Sequence, residues 1–323
     1  MAVVLLVLEG GLALGAWVHV QAVLRGDVEA RVERVLNLQR VHAEEDFARM
    51  NGELLAVAQN DALLQALERR DRETLLDLAT PIFHRLRNSA RVTHFYFHDR
   101  DRVNVLRVHE PAASGDRIDR YTARRAAETG EPVEGVELGP LGTLTLRVVR
   151  PCSREGEVVG FVELGHEMEY MLDIIQRSLE VELCVLVRKD LLEREGWETG
   201  RRMLGREPDW NRYRSVVVTG NVSDGVRADL DRVLAASGDA PPTGVYPCRG
   251  AAGNGRFVFR PLLDAEQRDV GRLVLVLDLA DRVASAVRLV LGVALVGAAA
   301  GAALLLGLFV HLGRIERDDR PAA

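Results

Sequence analysis

Histidines, a tyrosine and an arginine alternate with apolar residues in the stretch THFYFHDRDRVNVLRVHEP, residues 93–111. Two short apolar runs flank the turn-forming DRD, which is the pattern of a β-hairpin. The predicted strand pairs are His98–Val103, Tyr96–Val105 and His94–Arg107. Because side chains alternate between the two faces of a strand, one face carries His94, Tyr96, His98, Arg107 and His109. The other face carries Phe95, Phe97, Leu106 and Val108. A polar face of this kind is either solvated or functional, and the elements around the hairpin decide which.

Two apolar stretches near the ends of the chain predict transmembrane helices. Residues 289–312 are interrupted only by His311 and are long enough to cross a bilayer as a helix. The N-terminal stretch AVVLLVLEGGLALGAWVHV contains Glu9, which would be costly at the bilayer centre but lies nearer one end. This stretch lacks the basic start and the cleavage site of a signal peptide. We therefore predict two spans, residues 2–23 and 285–312.

Two spans place both termini on one side of the membrane. Three arginines, Arg314, Arg317 and Arg320, follow the second span and favour a cytoplasmic C-terminus. Three others, Arg25, Arg282 and Arg288, flank the spans on the opposite side. Large domains cross regardless of charge, so the arginines of the short tail carry more weight in predicting the orientation. We expect a two-pass protein of the inner (cytoplasmic) membrane whose central region is extracytoplasmic.

Composition narrows the class of protein further. The 323 residues carry a net charge of −6, with 47% hydrophobic and 28% charged residues, and they contain no basic stretch that would favour nucleic acid. Three cysteines, Cys152, Cys184 and Cys248, show no metal-site spacing and cannot all pair. We expect buried or free thiols.

Between the predicted spans, the chain repeats one pattern. Residues 21–60 predict a long helix with an apolar stripe, and residues 72–86 predict a second helix that leads into the hairpin. A loop with a short helix and three strand-like runs, VEGVELG, GTLTLRVVRP and EVVGFVELG, follow. Residues 181–279 repeat this order, with Leu146-Arg147 matching Phe259-Arg260 and Val159-Gly160 matching Val270-Gly271. Chance similarity of two hairpins is the alternative to a tandem α/β repeat.

These residues resemble the double Cache sensor domains of bacterial transmembrane receptors, in particular the double sensory domain of two-component sensor kinases. The stretches that carry the resemblance are VTHFYFHDRDRVNVLRVH, GDRIDRYT, GVELGPLGTLTLRVV, VVGFVELGHE and RKDLLEREGWETGRRMLGREPDW. The resemblance implies an α+β fold in which two PAS-like antiparallel sheets stack on the long helix. It also implies that small molecules bind to the membrane-distal sheet.

The predicted boundaries follow from the spans and the repeat. They are a first transmembrane helix, 2–23; a stalk helix, 24–60; a distal domain, 61–178; a proximal domain, 179–284; a second transmembrane helix, 285–312; and a short cytoplasmic tail, 313–323. Receptors of this kind continue into a kinase, cyclase or chemotaxis module, whereas this sequence stops at Ala323. It is either a sensory fragment or a protein that signals through a separate partner.

In a PAS-like sheet, one face packs on the helix and the other faces the pocket. The predicted ligand-binding residues are His94, Tyr96, Arg107, His109, Asp116, Arg117, Thr145, Arg147 and Glu163. Thr143 alternates with them, and Asp119 and Arg120 belong to a possible lid. Arginines with histidines favour a small anion such as a carboxylate, because guanidinium presents a bidentate fork to it. The alternatives are a structural network, since buried charges must pair, and a metal held by His94, His98 and His109; we expect no metal or cofactor.

The favoured function is ligand sensing, with the signal passed through the spanning helices to a fused or separate histidine kinase, cyclase or chemotaxis module. We predict a parallel homodimer through the stripe between Val28 and Val57, and close helix approach at Gly11/Gly15 and Gly297/Gly301. A non-signalling membrane-anchored scaffold or assembly protein of the cell envelope is the alternative. The sequence has no P-loop, G-x-S-x-G or kinase motif, so we expect no enzyme.

Overall fold

The computed structural model describes residues 2–203, 206–220, 222–238, 240–249 and 253–318. Within these ranges, the exposure of the side chains is described for every residue except 2–9, 203 and 312–318. The fold is α+β and contains two antiparallel five-stranded sheets and a long N-terminal helix, as the sequence predicts.

Helix α1, Ala2–Ala58, is continuous, so the predicted first span and stalk form one helix. Its apolar stripe recurs at threes and fours and is buried against the chain's own sheets; the members are Val28, Val32, Val35, Met50, Leu54 and Val57. Leu38 and Phe47 pack beside them. The predicted dimer interface through this stripe is therefore wrong, because an intramolecular core already occupies it.

Two further helices precede the first sheet. Asn60 begins α2, Asp61–Glu68, by accepting hydrogen bonds from the amides of Ala62 and Leu63. Asp71 caps α3, Arg72–Ala90, in the same way at Thr74. The sequence predicted α3 but not the short α2.

The first sheet contains the predicted hairpin and the three predicted strands. It comprises β1, His94–Asp99; β2, Asn104–Arg107; β3, Val133–Leu138; β4, Leu144–Arg154; and β5, Glu157–Glu167. The strand order is β2-β1-β5-β4-β3. Helix α4, Tyr121–Thr129, lies between β2 and β3, and α5, Met168–Leu179, leads to the second sheet.

The second sheet has the same strand order, β7-β6-β10-β9-β8. Its elements are β6, Glu182–Arg188; α6, Arg194–Met203; β7, Val216–Thr219; α7, Asp224–Ala236; β8, Gly244–Cys248; β9, Gly255–Leu263; and β10, Asp269–Asp278. The matched glycines, Gly160 and Gly271, both lie so close to a carbonyl of the neighbouring strand that a Cβ would collide with it. This shared close approach supports the tandem repeat.

Helix α8, Ala280–Asp318, follows β10 directly and packs along α1. Its segment Ala280–His311 contains an 18-residue window with a mean hydropathy of 2.5 and is, within the described residues, the one helix long and apolar enough to cross a membrane. The predicted first span, residues 2–23, is not identified as a second such helix among the described residues. The side chains of residues 2–9 lie outside the described set. On these helices Gly301 is buried, whereas Gly11 and Gly15 are exposed.

The three cysteines lie in the described part of the chain. Cys152, Cys184 and Cys248 are buried and none forms a disulfide. Burial raises the pKa of the Cys152 and Cys184 thiols to about 12, so both stay protonated at neutral pH. This outcome confirms the prediction of buried thiols.

Candidate functional site

The hairpin of β1 and β2 forms, but its register differs from the predicted one by two residues. Tyr96 lies opposite Arg107 and Phe97 opposite Leu106, followed by a bulge at which His98 lies opposite Asn104. A shift of two residues preserves which side chains share a face. The predicted polar and apolar faces are therefore correct although the predicted pairs are wrong.

Asp99 explains the shift. Its Oδ1 accepts hydrogen bonds from the amides of Asp101 and Val103, both at 2.9 Å, and Arg102 adopts a left-handed φ of 62°. The turn therefore closes one strand residue later than the DRD motif alone indicates. Phe95 and Phe97 join the core cluster that contains the α1 stripe, so the polar face points away from α1.

Aromatic and cationic groups surround Tyr96 on the polar face. The rings of His94, His98 and His109 lie with their centroids 6.0, 5.6 and 4.8 Å from that of Tyr96. The guanidinium carbons of Arg107 and Arg120 lie 5.5 and 5.2 Å from the same ring centroid. Such positions suit cation–π attraction.

A charged network, which we name the Glu163 cluster, lies beside Tyr96 and consists of His98, Arg120, Glu137, Arg147 and Glu163. Glu163 on β5 is fully buried. Its carboxylate accepts hydrogen bonds from Arg147 at 2.6 Å and from Arg120 at 2.6 and 2.7 Å. His98 Nε2 lies 3.1 Å from Glu163 Oε2. The structural network weighed from the sequence is thus present.

Glu137 on β3 closes the cluster on its other side. Its Oε1 accepts the Thr122 amide at the start of α4 at 2.8 Å, and its Oε2 lies 3.5 Å from Nε of both Arg120 and Arg147. Several buried polar atoms here have no hydrogen-bond partner among the described residues; they are His98 Nδ1, Arg120 Nε, Thr122 Oγ1, Glu137 Oε2, Thr145 Oγ1 and Arg147 Nε. Buried polar groups are normally hydrogen-bonded, so these atoms could form hydrogen bonds with a polar ligand.

The loop between β2 and α4 forms the rim of the site. Arg107 pairs with Asp116 at 2.7 Å, with side chains 16% and 48% exposed. Asn104 Nδ2 also donates to Asp116 Oδ1 at 3.2 Å. Arg117 and Asp119 are exposed, and the backbone of Arg117 bridges to Val103.

Burial and charge set the protonation states. Burial, aided by the charge of Arg147, lowers the pKa of His94 to about 2, and burial lowers that of His109 to about 4. Burial alone would raise the pKa of Glu163, but Arg120 and Arg147 hold it well below its usual range. Burial raises the pKa of Glu137 against the opposing charge of Arg147. At neutral pH the site therefore presents neutral histidines and two arginines shared by buried carboxylates.

The structure brings most of the predicted residues onto one face. His94, Tyr96, Arg107, His109, Thr145, Arg147 and Glu163 share it, Asp116 reaches its rim, and the side chain of Arg117 faces solvent. Sequence reasoning missed Glu137 and gave Arg120 only a lid role. Glu137 lies opposite Thr145, a pairing that depends on the register of β3 against β4 and that alternation in VEGVELG does not provide. Within the described residues, no group of three potential ligands is arranged to hold a metal ion.

Two tandem antiparallel sheets on one long helix, with a polar cluster in the first, define a double α+β domain. A family model described as the double sensory domain of two-component sensor kinases matches residues 27–283. The chain belongs to this family. A comparison with curated proteins gives no match.

Solved structures of similar architecture come from several bacterial sensors. The V. cholerae DctB sensor domain matches with 14% identity and a TM-score of 0.46 over 79% of this chain and 97% of that chain. The periplasmic domain of Vibrio cholerae LuxQ matches with 16% identity and a TM-score of 0.44 over 76% and 98%. The ligand-binding domain of the Campylobacter jejuni chemoreceptor Tlp3 matches with 11% identity and a TM-score of 0.35 over 81% and 96%. At these levels the similarity serves as description alone.

Proposed function

We propose that this chain is the extracytoplasmic sensory region of a bacterial membrane receptor and that a small ligand binds on the polar face of the first sheet. The observation that carries the proposal is the Glu163 cluster, in which several buried polar atoms make no hydrogen bond to the described residues although Arg120, Arg147 and Glu137 form ion pairs at 3.5 Å. Burying charges costs free energy that apolar residues of similar volume would avoid. A network that is costly and incompletely hydrogen-bonded favours a binding role over a purely structural one.

The ligand is a small anion such as a carboxylate, and Arg107 is its first contact. Glu163 holds Arg120 and Arg147 in buried ion pairs, whereas the partner of Arg107 is the half-exposed Asp116. Exposed pairs contribute little, so an incoming anion displaces Asp116 far more readily than Glu163. Tyr96, His94, His109 and Thr145 complete the surface that the ligand meets.

Displacement of Asp116 connects binding to a movable element. Asp116 ties the β2–α4 loop to Arg107 and Asn104, and Arg117 lies next to it. Release of these contacts changes the loop that leads into α4, whose preceding residue, Arg120, belongs to the Glu163 cluster. Differential affinity for the two loop states would shift their populations.

The remaining topology completes the proposal. The N-terminal part of α1, residues 2–23, serves as a first span, and residues 285–312 serve as the second. The first sheet belongs to a distal domain, residues 61–178, and the second to a proximal domain, residues 179–284. What supports this order is that β10 of the second sheet leads directly into α8. The output is a fused or separate kinase, cyclase or chemotaxis module, and a homodimer would use a surface other than the α1 stripe.

The test measures thermal unfolding of the full chain in nanodiscs with malonate, succinate and citrate. A binding carboxylate stabilises by RT ln(1 + [L]/Kd), about 2.7 kcal/mol at a hundredfold excess over Kd. Arg107→Ala should remove that gain and leave the unliganded protein folded. Arg125→Ala is the matched control, because Arg125 pairs with Glu128 on the exposed side of α4. Stabilisation that survives Arg107→Ala, or none by any of these anions, contradicts the proposal.

A further inference from the structure

A cleft separates the two sheets where the β3–β4 turn and the start of α5 meet β6 and α6. The cleft is partly open to the surface, and its cavity volume is about 40 Å³. The apolar side chains that line it include Met168, Leu172, Leu183 and Trp197. We name it the inter-unit cleft, since both halves of the repeat contribute to its walls.

One wall of the cleft is preformed by close packing of α6 on the β3–β4 turn. A Cβ at Gly196 would lie 2.9 Å from the carbonyl oxygen of Pro140, and one at Gly200 would lie 2.8 Å from that of Leu141. Trp197, between them on α6, is 1% exposed. These contacts fix the indole ring, so little ordering would accompany binding against it.

Arg201, one residue beyond Gly200, lines the same cleft, and the carboxylates that act on its charge, Asp209 and Glu169, do so from beyond ion-pair distance. Its guanidinium carbon lies 5.7 Å from the Trp197 ring centroid. Among the described residues, no carboxylate lies within 4 Å of the guanidinium, and its Nε is buried without a hydrogen-bond partner. One of its terminal nitrogens donates a long hydrogen bond to the Glu207 carbonyl at 3.4 Å. A partly desolvated cation in this state is stabilised by any anion that reaches it.

Three carboxyl groups also line the cleft. Glu169 pairs with Arg206 at 2.6 Å. Glu167 lies 3.7 Å from His94, which is neutral at neutral pH, so the two form no ion pair; burial raises the pKa of Glu167. Asp173 accepts a hydrogen bond from Gln176. The positive charge of Arg201 is therefore the one in this cleft that lacks a close partner in the described part of the chain.

We propose that the inter-unit cleft is a second ligand site and that it takes a small monocarboxylate with a short apolar chain. The carboxylate pairs with Arg201, and the chain lies against Trp197, Met168 and Leu172. Size favours this class, because a cavity of about 40 Å³ accepts a small molecule and not a large one. A ligand there touches the first half through Met168 and Leu172 and the second half through Trp197 and Arg201, so it stabilises their docking.

The test titrates propionate into the full chain in nanodiscs and follows both heat and tryptophan emission. Arg201→Gln should weaken propionate binding at least about tenfold, because it removes a charge-assisted contact. Arg202→Gln is the matched control, since Arg202 is 60% exposed and pairs with Glu198, and it should change the affinity less than about twofold. Equal affinity in Arg201→Gln, equal loss in both variants, or no response from the wild type overturns the proposal.

Two more variants separate a loss of binding from a loss of folding and show which site propionate occupies. Leu172→Phe should fill the cleft, because Leu172 is a buried lining residue on α5, and it should abolish propionate binding even if Arg201→Gln folds poorly. Arg107→Ala should leave propionate binding intact, because Arg107 belongs to the polar face of the first sheet. Loss of binding in Arg107→Ala would place propionate in the Arg107 site and reject the cleft.

Discussion

Glu163 is the residue on which the first site depends. It is completely buried, yet two arginines and a histidine keep its carboxylate charged. Removing one member of such a network leaves an uncompensated buried charge, which is more damaging than never having built the pair. The carboxylate thus holds Arg120 and Arg147 in place for any ligand that enters beside them.

Glu163→Gln should lower the free energy of unfolding at pH 7 by about 3–5 kcal/mol. The folded-state pKa of Glu163 lies below its unfolded value, so its contribution is present above pH about 4.5 and is lost as the pH falls further. The gap between variant and wild type should therefore narrow in acid. Chemical denaturation at several pH values measures it, with Glu157→Gln, an exposed position on the same strand, as the control. A pH-independent gap, or none, contradicts this account.

Among the elements, α6 shows how glycine spacing determines a docked surface. Gly196 and Gly200 lie one turn apart and both contact the β3–β4 turn, and Gly142 of that turn would collide with Trp197 if it had a Cβ, at 2.5 Å. The helix can approach this closely because its contacting face lacks side chains. α6 thereby joins the second half of the repeat to strands β3 and β4, which carry Glu137 and Arg147.

Gly200→Ala should destabilise the protein, because the new methyl group meets the Leu141 backbone at 2.8 Å. Gly52→Ala, in the interior of α1 with nothing within 4 Å of its Cβ position, should stabilise it by about 0.5–1 kcal/mol. The same chemical change thus has opposite signs at two helical glycines. Denaturant midpoints measure both, and a stabilising Gly200→Ala would show that α6 docks more loosely than described.

The sequence predicts elements better than it predicts their partners. Alternation in β1 and β2 identified the polar face, yet the register was wrong by two residues because the side-chain cap of Asp99 is a local effect that periodicity does not contain. The α1 stripe was correctly assigned as apolar, but a stripe does not reveal whether a second copy or the chain's own sheet covers it. Glu137 was missed because its partners, Arg120 and Arg147, come from distant segments that meet only in the folded sheet.

At the scale of the whole molecule, the β9–β10 turn of the second sheet contacts β3 and α4, the two elements beside the Glu163 cluster. The Ala265 amide donates to the Val136 carbonyl on β3 at 2.8 Å, and Glu266 pairs with Arg124 of α4 at 2.7 Å. β3 carries Glu137, and α4 follows Arg120 directly. Through β10, the same hairpin continues into α8, so one turn contacts both walls of the Glu163 cluster and leads to that helix.

Charge reversal tests this connection. Arg124→Glu and Glu266→Arg should each speed hydrogen exchange at the Ala265 amide, because each places like charges at the turn, and the double variant should restore protection. The coupling energy of such a partly exposed pair should be about 0.2–1 kcal/mol. Arg125→Glu, whose side chain points to Glu128 instead, should leave that amide unchanged. Additive effects in the double variant would show that the turn docks without the ion pair.

Helix α1 has a mechanical consequence. Its 57 residues span about 85 Å at 1.5 Å per residue, and one apolar core joins it to both sheets. A continuous helix neither stretches nor shortens appreciably, so the position of the first sheet along α1 is fixed as if by a ruler. Under the proposed function, a change at the first sheet therefore reaches α8 only as motion relative to α1. Such motion would be detected where α8 follows β10 beside α1. There Arg31 of α1 donates a hydrogen bond to the carbonyl oxygen of Asp278 at 3.2 Å.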